Sequence, residues 1–108
     1  MLIYNVTSNV DESVHEEWLK WMTTEHIPQV LSTGKFEKAT LTKVLIEDEV
    51  GTVTYSVQYR VNSREALEAY YQNNAPRLRA EVNKKFADKV LSFRTELDII
   101  DEYSVAFN

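Results

Sequence analysis

Residues 52–61, TVTYSVQYRV, decide how the rest of the chain is read. Val53, Tyr55, Val57, Tyr59 and Val61 fall on one side of an extended segment, and Thr54, Ser56, Gln58 and Arg60 on the other. Strict alternation of β-branched and aromatic residues with polar ones marks a strand with one buried face. Residues 36–46 just upstream are also strand-like, and Glu47-Asp48-Glu49-Val50-Gly51 between them reads as a charged turn. The two segments are expected to pair as an antiparallel hairpin.

The same period recurs at the start of the chain. In residues 2–10, Leu2, Tyr4, Val6 and Val10 oppose Asn5, Thr7 and Asn9. The period then changes. Val14, Trp18, Trp21 and Met22, flanked by Leu19, form one stripe at helical spacing, with Glu16, Glu17, Lys20, Thr23 and Thr24 opposite. Asp11 or Ser13 can cap this helix, and Ser13 with Glu16 has capping-box spacing. Pro28 disfavours helical geometry at Ile27, so the helix is expected to end or kink near His26. Gln29 to Leu31 can add a last turn, closed by Gly34 in a left-handed position.

After the central strand, Asn62 or Ser63 caps a second helical region with Leu67, Tyr70, Tyr71, Leu78, Val82 and Phe86 on its apolar side. Asn73-Asn74-Ala75-Pro76 interrupts it; Asn74 can recap and Pro76 suits a first turn, so two pieces or one kinked helix are expected. Residues 89–100 form the final strand, with Leu91, Phe93, Leu97 and Ile99 on one face and Arg94, Glu96 and Asp98 on the other. The tail from Glu102 to Asn108 reads equally as an edge strand, a partner-binding arm or a frayed end.

The order is β-α-β-β-α-β, the ferredoxin-like split-βαβ arrangement of the α+β class. Right-handed crossovers put both helical regions on one face of a four-stranded antiparallel sheet. Tyr4, Val6, Tyr55, Val57, Tyr59, Leu91 and Phe93 are expected beneath them. Residues 1–108 are read as a single domain without repeats or linkers.

Composition excludes several classes. The chain has 108 residues, 44% hydrophobic and 27% charged, which suits a folded domain. Seventeen acidic and twelve basic residues leave a net charge of -5, which opposes general nucleic-acid binding. No apolar run approaches membrane-spanning length, and the start, Met-Leu-Ile-Tyr-Asn-Val, does not read as a signal peptide. No membrane partner and a cytoplasmic location are therefore expected. Without cysteine there is no thiolate chemistry and no Cys-ligated metal. The two glycines, Gly34 and Gly51, cannot build a phosphate loop.

The sheet face turned away from the helices carries Asn5, Thr7, Ser56, Gln58, Arg60, Arg94 and Glu96, with Leu41 and Leu45 if the second strand has that register. Small hydroxyl and amide groups with charges of both signs can satisfy one another across an interface. Two sheets meeting there would form a closed two-fold homodimer. A plain solvated face is the alternative.

The stretches MLIYNVTSNVDESVHEEWLKWM, EHIPQVLSTGKF, TYSVQYRV, SREALEAYY, APRLRAE and FRTELDIIDE resemble an uncharacterised bacterial domain-of-unknown-function family. That family is similar to the dimeric α/β-barrel (ferredoxin-like) superfamily. More distantly, a Trp-rich first helix running into a His-x-Pro turn resembles proteins of the ethyl-tert-butyl-ether-degradation and antibiotic-biosynthesis-monooxygenase types. The resemblance implies a homodimer whose sheets form a barrel, with a pocket between sheet and helices in each copy. In such relatives a polar residue near the pocket acts on an aromatic or polyketide-like substrate. His26 alone matches the pattern here.

His26 is thus the candidate catalytic residue. At a helix C-terminus the dipole would favour its protonated form; a cap on the last carbonyls is the plainer role. Glu25 falls near the middle of the apolar stripe, at a pocket mouth or reaching solvent. Trp18, Trp21, Met22, Tyr4, Tyr55, Tyr59 and Phe93 either surround a flat small-molecule ligand or simply fill the core. His15 and His26 are not spaced as a metal pair, so no metal and no cofactor are expected. Arg77, Arg79, Lys84, Lys85 and Lys89 read as a solvated helix face, with an anion site as the alternative. Three functions remain in play: a small-molecule-binding homodimer, a cofactor-independent monooxygenase- or isomerase-like enzyme using His26, and a protein-interaction module.

Overall fold

The computed structural model describes residues 1–46 and 51–106, so most of the expected Glu47–Gly51 turn lies outside the described residues. Strand β1 (Leu2–Asp11) leads through a short 3-10 turn (Glu12–Val14) into α1 (His15–Trp21). A π-helical turn (Met22–His26) joins α1 to α2 (Ile27–Ser32). Strands β2 (Lys38–Lys43) and β3 (Thr52–Val61) follow, then α3 (Arg64–Asn73), α4 (Ala75–Phe86) and β4 (Val90–Asp98). The four strands form one sheet in the order β2-β3-β1-β4 with every pairing antiparallel. This is the expected ferredoxin-like topology.

Local chemistry sets the element ends. The Asp11 carboxylate accepts from the Ser13 backbone N–H at 2.9 Å and caps the entry to the first helical region, whereas Val14 at the α1 N-cap makes no side-chain bond. The Ser13–Glu16 capping box does not form. Gly34, at φ +76°, takes the left-handed position after α2, and its N–H donates to the Leu31 carbonyl. Ser63 caps α3 by accepting from Ala66 N–H at 3.1 Å. The break before α4 falls at Asn74 with Pro76 in the first turn, but the Asn74 side chain makes no capping bond.

The first helical region, expected to end or kink near His26 and to add a last turn over Gln29–Leu31, is interrupted there and does run on through α2. It continues through the π turn, in which the Ile27 N–H donates to the Met22 carbonyl, five residues back. Pro28 has no N–H to return and its ring crowds the preceding turn, and the wider register accommodates both. The hydroxyls of Thr23 and Thr24 donate to the Lys20 carbonyl at 3.1 and 2.7 Å in the same stretch, a pattern that loosens a helix.

A correction concerns β4. Its alternation is as read, but its faces are reversed. Phe93 lies opposite Thr7 and Leu91 opposite Asn9, while Arg94 pairs with Val6 and Glu96 with Tyr4. Directly opposed residues share a face. Leu91, Phe93 and Leu97 therefore point away from the helices, at 57, 66 and 40% exposure. Arg94 and Glu96 leave the expected interface set and join the helix side. A single-residue choice of register inverts a whole strand, and nothing within β4 itself fixes that choice. In β2, Leu41 opposes Val57 and so also faces the helices, and Leu45 lies beyond the strand.

The core lies between sheet and helices. Tyr4, Val10, Tyr55, Val57, Tyr59 and Val61 from the sheet are buried against Trp18, Val30, Leu67, Tyr70, Leu78 and Phe86 from the helices. Phe36, just before β2, stacks on Tyr4 at 6.0 Å between centroids and meets Tyr70 edge-on at 4.8 Å.

Candidate functional site

The π turn turns two side chains inward. Met22 and His26 are both buried, His26 to 9% exposure, and both line a small cavity between sheet and helices. β1 contributes Tyr4, Val6 and Ser8 to its walls, and β3 contributes Val57 and Tyr59. Trp18, Val30 and Tyr70 close it from the helices, and Arg79 of α4 and Arg94 of β4 stand on its remaining side with Ser92. Its volume is about 40 Å³. Arg79, Val82, Ser92 and Arg94 also line an adjoining groove of about 270 Å³ between α4 and β4, with Val90 and Leu91 along it. The two arginines thus line both the cavity and the groove, Arg79 half-buried and Arg94 exposed.

The polar groups converge on Tyr4. Arg79 donates through Nη2 to the Tyr4 hydroxyl at 3.1 Å, and Arg94 donates through Nε to the same oxygen at 3.2 Å. The Arg79 guanidinium also sits over the Tyr71 ring, 5.9 Å from its centroid. Among the described residues no carboxylate stands within ion-pair distance of Arg79 or Arg94. The hydroxyls of Ser8 and Ser92 share a hydrogen bond of 2.9 Å across β1 and β4. His26 stacks on Trp21 at 4.8 Å, and its Nδ1 is buried without a partner, as is Arg79 Nε.

Burial sets the protonation states. Desolvation, reinforced by the positive charge of Arg94, lowers the His26 pKa to about 4. The imidazole is therefore neutral at physiological pH, the reverse of the protonated form that the helix dipole was expected to favour. Desolvation likewise raises the Tyr59 phenol far above its usual range and pushes Tyr70 up to about 12, helped in both cases by neighbouring tyrosines. Both phenols stay protonated.

The structure brings Tyr4, Trp18, Met22, Tyr59 and His26 together at the cavity. Trp21 stands behind His26, wedged edge-on against Phe86 at 5.4 Å. Glu25 is exposed on the outer side of the π turn. Tyr55 is buried elsewhere, stacked on His15 with its hydroxyl hydrogen-bonded to His15 Nε2. Phe93 is on the opposite sheet face and cannot line the cavity. Asn5, Thr7, Ser56, Gln58 and Arg60 do occupy the outer face; Ser56 donates to Asn5, and Arg60 is ion-paired with Glu37 at 3.2 Å and Glu102 at 2.9 Å. Glu96 instead accepts from Tyr71 at 2.6 Å and Arg64 at 2.9 Å on the helix side.

Sequence reasoning missed Ser8, Ser92 and Arg94 as cavity residues. The available signal was the even-numbered polar series Ser92-Arg94-Glu96, which becomes a cavity wall once β4 is placed in its true phase. Arg79 stood in the sequence as one charge of a basic helix face, with an anion site as the alternative reading. Among the described residues no group of three or more acidic or His side chains gathers to hold a metal, and no helix is long and apolar enough to cross a membrane.

A family model for a domain of unknown function, DUF4286, matches residues 1–100. The chain belongs to the DUF4286 family. A comparison with curated proteins finds no match. Several solved structures share the fold of this DUF4286 chain. One, a dimeric ferredoxin-like protein from an uncultured marine organism, has a TM-score of 0.68 at 14% identity, covering 97% of this chain and 100% of its own. An antibiotic-biosynthesis-monooxygenase candidate from Bacillus cereus reaches 0.66 at 14% identity, covering 96% and 97%. An ethyl tert-butyl ether degradation (EthD) family protein from Bacillus halodurans reaches 0.65 at 13% identity, covering 93% and 100%. At such identities the likeness is one of fold.

Proposed function

We propose that this chain is a small-molecule-binding domain that works as a homodimer, each copy holding its ligand between sheet and helices. The observation that carries the reading is a pair of buried polar atoms without partners, His26 Nδ1 and Arg79 Nε, at a cavity that opens into a groove. Native proteins rarely leave such atoms unsatisfied, and a bound molecule is one way to satisfy them. Dimerisation is supported by the exposed Leu91, Phe93 and Leu97 beside the Asn5, Thr7, Ser56 and Gln58 surface. Apolar side chains gathered on one sheet face favour a partner over water. A neighbour of the same fold described as dimeric adds to this.

The acid–base enzyme reading is weaker. A histidine with a pKa near 4 is a poor base at neutral pH, since general-base catalysis works best with a pKa close to the operating pH. Two measurements test the proposal. Light scattering after size exclusion at micromolar concentration is expected to return twice the chain mass; a clean monomer refutes the dimer. A ligand-observed NMR screen of small molecules is expected to give binders that shift His26 and Trp18; a screen in which no compound perturbs those residues refutes the binding reading.

A further inference from the structure

Given the binding reading just proposed, we infer that the ligand is a small organic acid whose carboxylate enters the cavity between Arg79 and Arg94 while its apolar body lies along the groove between α4 and β4. The argument begins with charge. Two guanidinium groups donate to one phenol oxygen, with no carboxylate to balance them among the described residues. Tyr4 offers them a single hydroxyl oxygen, a weaker acceptor than a carboxylate; a carboxylate would replace it with charge-assisted, fork-shaped bonds. Arg79 still has a buried Nε–H without an acceptor. An acceptor-only group with a negative charge is what this arrangement lacks.

The remaining wall agrees. His26 is nine-tenths buried with Nδ1 unpartnered, and as a neutral imidazole it can donate to one carboxylate oxygen. Tyr59 and Tyr70 remain protonated phenols, so the wall contains no competing anion.

Size separates the candidate anions. A water needs roughly 10–15 Å³ of such space, so about 40 Å³ takes on the order of three waters. That is close to the three heavy atoms of a carboxylate and short of the five of a phosphate. The groove beyond has Val82 and Val90 along it, which suits an aliphatic or aromatic body.

The test is a titration of the full chain at pH 7 with acetate, benzoate, acetamide, benzamide and inorganic phosphate. It is read by NMR shifts of the Arg79 and Arg94 side chains and the His26 ring, and by Tm. Benzoate is expected to saturate the shifts and raise Tm, with benzamide at least tenfold weaker. Arg94→Gln is expected to weaken benzoate at least tenfold, and Arg77→Gln, on the exposed side of α4, to leave it unchanged. Benzamide binding as tightly as benzoate overturns the carboxylate assignment yet leaves a binding domain standing. Phosphate binding more tightly than benzoate overturns it too, as does an equal loss in the Arg77 and Arg94 variants, which would reveal only general charge attraction. If none of the five probes moves the cavity residues, the carboxylate inference fails, and the broader small-molecule screen decides the binding reading separately.

Discussion

Acidification should destabilise this protein through His26 in a calculable way. The ring titrates near 4 in the folded chain, against 6.5 for the free side chain. The unfolded state therefore binds more protons than the folded state between those values, and stability must fall as the pH drops through that window. At pH 5 the linkage amounts to about 2 kcal/mol, and at pH 7 almost nothing of it is felt. The groups that enclose the ring from each side are consistent with a suppressed charge. The Arg94 guanidinium of β4 and the Arg79 guanidinium of α4 stand at the same cavity, Tyr59 and Tyr70 are held protonated there, and Trp21 covers the ring face. Many carboxylates also begin to titrate near pH 5, so the measurement must be a difference. Urea unfolding of the wild type and of His26→Phe, which keeps an aromatic ring against Trp21, isolates the term. Between pH 7 and pH 5 the wild type is expected to lose about 2 kcal/mol more than the variant. Parallel losses in the two proteins would refute the argument, as would an NMR titration midpoint for His26 near 6.5. A saturating carboxylate should raise that midpoint in part, because an anion between Arg79 and Arg94 offsets the positive charge of Arg94 that adds to desolvation in holding it down.

Further perturbations probe the rest of the structure. Phe93→Asp puts a charge on the exposed apolar side of β4 and is expected to convert the proposed dimer to monomer in light scattering with little change in far-UV circular dichroism; an unchanged mass would place the interface elsewhere. Leu67, fully buried beneath the sheet, should cost about 2–5 kcal/mol in urea unfolding when changed to alanine. Tyr4→Phe removes the oxygen that accepts from half-buried Arg79 and exposed Arg94 and should cost on the order of 0.5–1.5 kcal/mol through the lost hydrogen bonds, and an unchanged stability would mean that water replaces the hydroxyl fully.

The fold was legible because its signals are local and repeat. Ten residues of β3 alternate without a break, β1 repeats the period, and Ser63, Gly34 and Pro76 mark helix boundaries by their own chemistry. The phase of β4 was not legible, because an alternation has two faces and says nothing of which one the helices cover. The usual assumption, apolar inward, fails here. β4 is an edge strand whose inward positions Ser92, Arg94 and Glu96 serve the cavity and the α3 flank, and the apolar set is left outside. The π turn was hidden for a different reason. Pro28 signals an interruption, but whether a helix stops or widens depends on what packs against it, and the burial of Met22 and His26 is a tertiary effect. Of the site residues that sequence missed, Ser92 and Arg94 depend on the phase of β4.

The reversed strand also ties the two proposals together. β4 is the edge of the sheet, hydrogen-bonded on one side to β1 alone, and it carries Ser92 and Arg94 inward while Leu91, Phe93 and Leu97 point outward on alternate residues. An edge strand held by a single neighbour is among the parts of a sheet that open most easily. Packing its outer side chains against a second copy would restrain it, and the same restraint would hold the Arg94 side chain near Tyr4. Ligand binding between Arg79 and Arg94 would in turn draw β4 toward α4 and steady the outer face. Binding and association should then be coupled, and by linkage the coupling has to be equal in both directions. A carboxylate that binds the cavity should tighten the dimer by the factor by which dimerisation tightens the carboxylate. Monomeric Phe93→Asp should accordingly bind benzoate more weakly than the wild type although Phe93 stands on the far side of the sheet from the cavity. Equal affinity in the two proteins would show that β4 is already rigid in the single chain and that the two faces act independently.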